Sequence, residues 1–289
     1  MEAAKSLPRT SALKRRPHFS IELYVGAFLT IVIVAAVLLS WWLFPGGGET
    51  MDLAARLTHP FTSAAHILGT DPLGRDVLAR VIVGGRISLT VGILSVLGAV
   101  ALGMLIGVVA GYYRGFWEMF FMRCVDVQLA LPFILVAITF ISILGGSVVN
   151  LIIFMILAQW VQYARLVRAQ VIELREREFI QAARSFGVSD WAQIWHHFLP
   201  NLMGPVIILM ALNVANNILL ESSLTFLGLG VDPLIPSWGG MLADGRTYLQ
   251  TAWWVSVFPG LAIMFTVLGL NLLADWSRDK LDPSGHTGA

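Results

Sequence analysis

Six times along this chain apolar residues run on for a bilayer's thickness, and between the fourth and fifth runs the pattern shortens to a helical stripe set among polar residues. Residues 21–44 form the first run, about long enough to cross roughly 30 Å of hydrocarbon as a helix. Lys5, Arg9, Lys14, Arg15 and Arg16 precede it, and clustered cations of that kind keep a flanking tail in the cytoplasm. A signal peptide would have a shorter apolar core and a small-residue cleavage site. Here the run closes on Trp41, Trp42 and Phe44, so it is read as a retained span. Five further runs cover residues 88–113, 120–144, 148–167, 202–220 and 253–274. The pattern therefore predicts an all-α integral membrane protein of six transmembrane helices with both termini cytoplasmic. Its parts are a basic cytoplasmic tail (1–20), a first transmembrane helix (21–44), an extracytoplasmic loop (45–87), a five-helix core (88–275) that includes a cytoplasmic loop (168–200), and a cytoplasmic tail (276–289).

Charge placement largely agrees with that map. Arg114, Arg165, Arg168, Arg175, Arg177, Arg184, Arg278 and Lys280 fall on the cytoplasmic side, where Lys and Arg concentrate. Arg56, Arg75, Arg80 and Arg86 run against the rule, because they belong to the outer loop. Trp41 with Trp42 and Trp253 with Trp254 mark the outer interface, where amphipathic rings settle at the headgroup level. In the second span Gly103, Gly107 and Gly111 recur every four residues, a flat ridge suited to close approach of another helix.

The polar insert reads "REFIQAARSFGVSDWAQIWHHFLPN" from Arg177 to Asn201. Phe179, Ala182, Ala183 and Phe186 share one side of a short helix at i, i+3, i+4 and i+7, with Gln181 and Arg184 facing away. Gly187 supplies a left-handed stop, and Asp190 with Gln193 forms a capping box for a second helix whose stripe is Trp191, Ile194, Trp195 and Phe198. Pro200 marks a bend or a new helix before the fifth span. A helix lying on lipid headgroups would have such periodicity too. Two alanines between two phenylalanines make a narrow knob, however, and that shape suits a groove in a partner protein.

Polar residues also occur inside the spans. Asn213, Asn217 and Glu221 lie four apart on one side of the fifth span, and Gln159, Gln162 and Tyr163 cluster on the fourth. Such groups are costly in lipid, which leaves two readings open: lining of a transport pathway, or hydrogen bonding between helices. Arg123 and Asp126 are spaced to pair near the cytoplasmic interface, and Pro132 follows as a kink site. In the outer loop Asp71 is placed to cap a helix with Pro72 at its first position. Val77, Leu78, Val81 and Ile82 form its apolar face, and Arg75, Asp76 and Arg80 turn to polar surroundings, either as a lid held by ion pairs, the favoured reading, or in direct contact with a delivered substrate.

Composition narrows the chemistry. The chain has 289 residues, 57% hydrophobic and 13% charged, with a formal net charge of +1, which gives no field for nucleic-acid binding. Lys5, Lys14 and Lys280 are the only lysines, and none follows a phosphate-cradling glycine loop. Cys124 is the single cysteine and acts as apolar filler. His196 and His197 are adjacent and so point about 100° apart, poor geometry for one metal. No catalytic set emerges from the spacing, and no metal or cofactor site is expected.

With these features in place, a family resemblance follows. "QAARSFG" through Leu199-Pro200 is similar to the E-A-A-x-x-x-G-…-L-P loop of ABC importer permeases, with Gln181 in place of glutamate and His197 in place of isoleucine. "HILGTDPLGRDVLARVIVGGRISLTVG" (66–92), "ESSLTFLGLGVDPLIPSWGGML" (221–242) and "DWSRDKLDP" (275–283) resemble segments of the dipeptide, oligopeptide and nickel branch of that family. The resemblance implies a multi-pass permease of the bacterial inner membrane. It also implies that Phe179, Gln181, Ala182, Ala183, Phe186 and Gly187 form a coupling helix seated on an ATPase. Its partners would be a second homologous permease, two ATP-binding cassette subunits carrying ATP and Mg, an extracytoplasmic substrate-binding protein and the lipid bilayer. Cargo would be peptides or similar small solutes. An ion-coupled secondary carrier is the alternative, and it is disfavoured because charged residues crowd the span ends rather than the midplane.

Overall fold

The computed structural model describes residues 21–281, so the basic tail 1–20 and the last residues, 282–289, of the predicted C-terminal tail lie outside the described residues. Helix α1 (Ile21–Leu43) is followed by an outer loop and then by α2 (Val77–Tyr113), α3 (Gly115–Ala130), α4 (Phe133–Leu144) and α5 (Val148–Arg175). Next come the short α6 (Glu178–Ser185) and α7 (Asp190–Gln193), the long α8 (Leu199–Phe226), α9 (Trp238–Gly245) and α10 (Trp254–Leu281). Among the described residues five helices are long and apolar enough to cross a membrane alone. A sixth crossing is reached only when α3 and α4, bent by 94° at a short break, are taken together as one broken span. Pro132 causes that break: it has no N–H to give, and α4 starts immediately after it.

Most spans differ from the sequence reading by several residues at an end, α5 running on to Arg175 rather than 167, α8 to Phe226 rather than 220 and α10 to Leu281 rather than 274, and two of the differences change a helix cap. The second span begins eleven residues earlier than residue 88, because Asp76 caps α2 by accepting from the Ala79 amide at 2.7 Å. Asp71 therefore caps no helix. Its carboxylate instead accepts from the amides of Leu73 and Arg75, at 2.8 and 2.9 Å, in a tight turn. The second difference lies in the insert, where Ser189 caps α7, one residue before Asp190. α7 then runs through a π-helical turn, Ile194–Phe198, straight into α8. Pro200 stands in the first turn of α8, and residues Asp190–Phe226 run through it as one 37-residue helix.

Helix contacts are built on small residues. A methyl group at Gly103, Gly107 or Gly111 would stand 2.5, 2.7 and 2.9 Å from the Cβ of Tyr163, Val167 and Val171. The constant offset of sixty residues makes α2 and α5 run parallel in close register, so the glycine ridge is a helix contact. The α1–α10 pair has its own version, which the sequence reading missed. Gly26 packs on Leu272, and Gly269 packs on Leu29 and Thr30. The main core lies between α2, α5 and α8, with Val96, Tyr163, Val167, Phe198 and Leu202 all buried.

Candidate functional site

Two places bring chemistry-bearing residues together: the cytoplasmic insert and the polar seam inside the bundle. On α6 the buried residue is Ile180, which packs into the core cluster with Tyr112, Ile194 and Phe198. That anchor leaves the predicted stripe outside. Phe179 is 47% and Phe186 88% exposed, Ala182 is exposed and Ala183 half-buried. Gly187 has φ +77°, the left-handed conformation expected of a helix stop.

The second predicted stripe divides. Ile194 and Phe198 turn inward, while Trp191 and Trp195 stack on each other at 5.9 Å and remain exposed. Tyr112, at the end of α2, donates from its hydroxyl to Asp190 at 2.7 Å and so ties α7 to the bundle. Gln193 is buried and donates to the Val188 carbonyl at 2.7 Å, which braces the elbow. Ile180 and Tyr112 had no part in the sequence reading. A lone isoleucine beside a stripe and a tyrosine seventy-eight residues away leave no local signal.

Within the bundle Gln159, Asn213, Asn217 and Glu221 are buried, whereas Gln162 is exposed. Asn217 donates to Ser95 of α2 at 2.7 Å and accepts from Gln159 of α5. Asn213 donates to the Tyr163 hydroxyl at 2.9 Å and, more weakly, to Gln162 at 3.4 Å. Glu221 accepts from Thr225 at 3.0 Å and from Ser222 at 3.2 Å. All five polar candidates thus take part in hydrogen bonds within this chain, which hold helices in register, although Gln159 Oε1 is buried without a partner among the described residues. Ser95 was missing from the sequence reading, because a single serine in an apolar run is unremarkable until its partner is known. Arg123 and Asp126 do approach, at 3.9 Å, but both are well exposed, and such a pair contributes little.

The outer face is a closed assembly. Asp71, fully buried, accepts from Arg75 Nε and Arg80 Nη1, each at 2.6 Å. Asp244 of α9 reaches Arg80 at 3.3 Å and Arg75 at 3.6 Å. The lid is held by ion pairs as the loop pattern suggested, although Arg75 and Arg80 are buried rather than turned to polar surroundings. Trp238 and Trp254 add indole hydrogen bonds to the carbonyls of Val81 and Thr70, at 2.7 and 3.0 Å.

Against known proteins, residues 103–285 match the family model described as the binding-protein-dependent transport system inner membrane component. The chain belongs to this family. Among its relatives is a dipeptide transport system permease protein DppC of Alkalihalophilus pseudofirmus, 42% identical over 90% of this chain and 83% of that protein. The glutathione transport system permease protein GsiD of Pectobacterium atrosepticum is 38% identical over 93% of this chain and 88% of its own. A putative peptide transport system permease of Brucella suis is 38% identical over 94% of this chain and 89% of its own. This permease is accordingly a multi-pass inner-membrane subunit of an ABC importer and works with partner subunits. ATP hydrolysis belongs to separate subunits, and the ion-coupled alternative is set aside.

Proposed function

We propose that this permease and a second homologous permease enclose the translocation pathway, that two ATP-binding cassette subunits dock from the cytoplasm, and that an extracytoplasmic binding protein delivers the cargo. Peptides or similar small solutes are the cargo class, in keeping with the dipeptide, glutathione and peptide systems of the relatives. ATP and Mg would bind on the cassette subunits. The observation that carries the docking is the stripe of Phe179, Ala182, Ala183 and Phe186. Ile180 fixes its helix to the core, and among the described residues Ala182 and Phe186 stay exposed while Phe179 rests partly against His197. Gln181 and Gly187 flank it. Motion of the ATPase would reach the membrane through α7, because α7 continues without a break into α8.

For the pathway, Gln162 is the exposed member of the candidate set and would meet solute. Gln159, Asn213, Asn217 and Glu221 would stand behind it and set helix positions. The test is substrate-stimulated ATP hydrolysis by the full transporter in vesicles, with crosslinking from Ala182→Cys. Ala182→Arg and Ala183→Arg are each expected to abolish stimulation, and the cysteine to crosslink to an ATPase subunit. Stimulation that survives both arginines would overturn the docking.

A further inference from the structure

Beneath the stripe, on the inner side of α6, is a polar pocket of about 270 Å³ lined by Tyr112, Arg114, Arg175, Glu176, Ile180, Gln181, Arg184 and Gln193. Three guanidinium groups and a single carboxylate meet in it, and Gln181 adds no charge. Glu176 is taken by Arg114 at 3.1 Å. Arg175 spends one nitrogen on the Tyr112 carbonyl at 2.7 Å. Asp190, just outside the lining, is engaged by the Tyr112 hydroxyl. Arg184 makes no ion pair among the described residues, and Arg114 Nε is buried without a hydrogen-bond partner. Arg114 also has φ +55°, a left-handed conformation costly for a residue with a side chain. The pocket is therefore short of negative charge and of acceptors, and guanidinium forks favour carboxylate or phosphate oxygens.

Position separates those two sources. The predicted apolar run of α5 ends at Val167, with Arg165 just inside that end and Arg168, which pairs with Glu118, just beyond it, at the level a lipid phosphate would reach first. Arg175 stands seven residues further along the same helix, about 10 Å deeper into the cytosol at 1.5 Å per residue. The pocket also opens beside the exposed stripe, since Gln181 and Arg184 of α6 line it while Ala182 faces out. We propose that it receives a carboxylate side chain from the docked ATPase subunit, so that apolar contact with the stripe is reinforced by a charge-assisted bond at its edge. This rests on the docking proposed for α6.

The experiment measures the affinity of the cognate ATPase subunit for the assembled permease pair in nanodiscs as a function of sodium chloride. Arg184→Gln is expected to weaken binding about tenfold at low salt and to flatten the salt dependence, since attraction between charges is what salt screens. Arg184→Lys should keep the dependence, and pairing Arg184→Glu with an acidic-to-arginine change on the ATPase should restore binding. An unchanged salt dependence in Arg184→Gln, with Ala182→Arg still abolishing binding, overturns the pocket and leaves the docking intact. Binding that survives Ala182→Arg overturns both. If Arg184→Gln instead removes a dependence on anionic lipid in the nanodisc, the ligand is a headgroup phosphate and the carboxylate reading fails.

Discussion

The outer cap and the cytoplasmic insert are both polar-rich pieces hung from the ends of spans, yet a buried ion-pair cluster holds the one and only a few contacts hold the other, while both keep exposed apolar side chains such as Phe61 and Phe186. In the cap, Asp71 satisfies two arginines, Asp244 adds a second carboxylate from α9, and Trp238 and Trp254 donate to backbone carbonyls. Glycines seal it: a methyl group at Gly74, where φ is +74°, would lie 1.8 Å from the Asp52 carbonyl oxygen. In the insert, Ile180 and the Tyr112–Asp190 hydrogen bond do the holding, while Phe179, Phe186, Trp191 and Trp195 stay exposed. A region that satisfies its own groups is built to keep its shape. One whose exposed groups are chiefly stacked or clustered aromatics offers the kind of patch that partner proteins use, which is the docking proposed for α6.

Three substitutions test that contrast, beginning with the greatest predicted effect. Asp71→Ala leaves the buried Arg75 and Arg80 with only the more distant and partly exposed Asp244 as a carboxylate partner, and loss of one member of such a set costs about 3–5 kcal/mol. We predict a large drop in the thermal unfolding midpoint of the purified permease; a near-wild-type midpoint would mean the cap is not held by its ion pairs. Tyr112→Phe removes the hydroxyl bond to Asp190, and a hydrogen bond to a charged acceptor contributes about 1.5–3 kcal/mol. Proteolysis of the insert in the isolated permease should rise while the midpoint moves little, and equal movement of both would place the tie in the global core. Phe186→Ala should leave the stability of the isolated permease within about 0.5 kcal/mol of wild type, as surface changes do. Its effect should appear only as weaker ATPase association, and destabilisation of the isolated chain would mean Phe186 packs against its own protein.

Much of the architecture was legible because a bilayer forces it. Apolar runs of spanning length have few alternatives to a helix when backbone groups have no water to bond. The four-residue repeat of Gly103, Gly107 and Gly111 left a close contact as one of two readings, and its partners Tyr163, Val167 and Val171 could not be named. The stripe on α6 was readable from period alone, and so was the Gly187 stop. Cap positions were less so: Asp71 and Asp190 each stood close to the true caps, Asp76 and Ser189, and one-dimensional spacing does not choose among neighbouring acceptors.

By itself, then, the sequence determined which segments enter the membrane, which face of α6 is apolar, and through its motifs the family. Those properties are set by local period and by transfer from water, and each depends on residues near in the chain. Tertiary structure alone decided that Asn217 meets Ser95, that Tyr112 restrains Asp190, that Gly26 meets Gly269 and that three arginines share one pocket. These pairings depend on the register of helices packed from distant parts of the chain. A hydrogen bond or a Cβ contact changes within an ångström or two, a precision that no local pattern of hydrophobic and polar residues encodes.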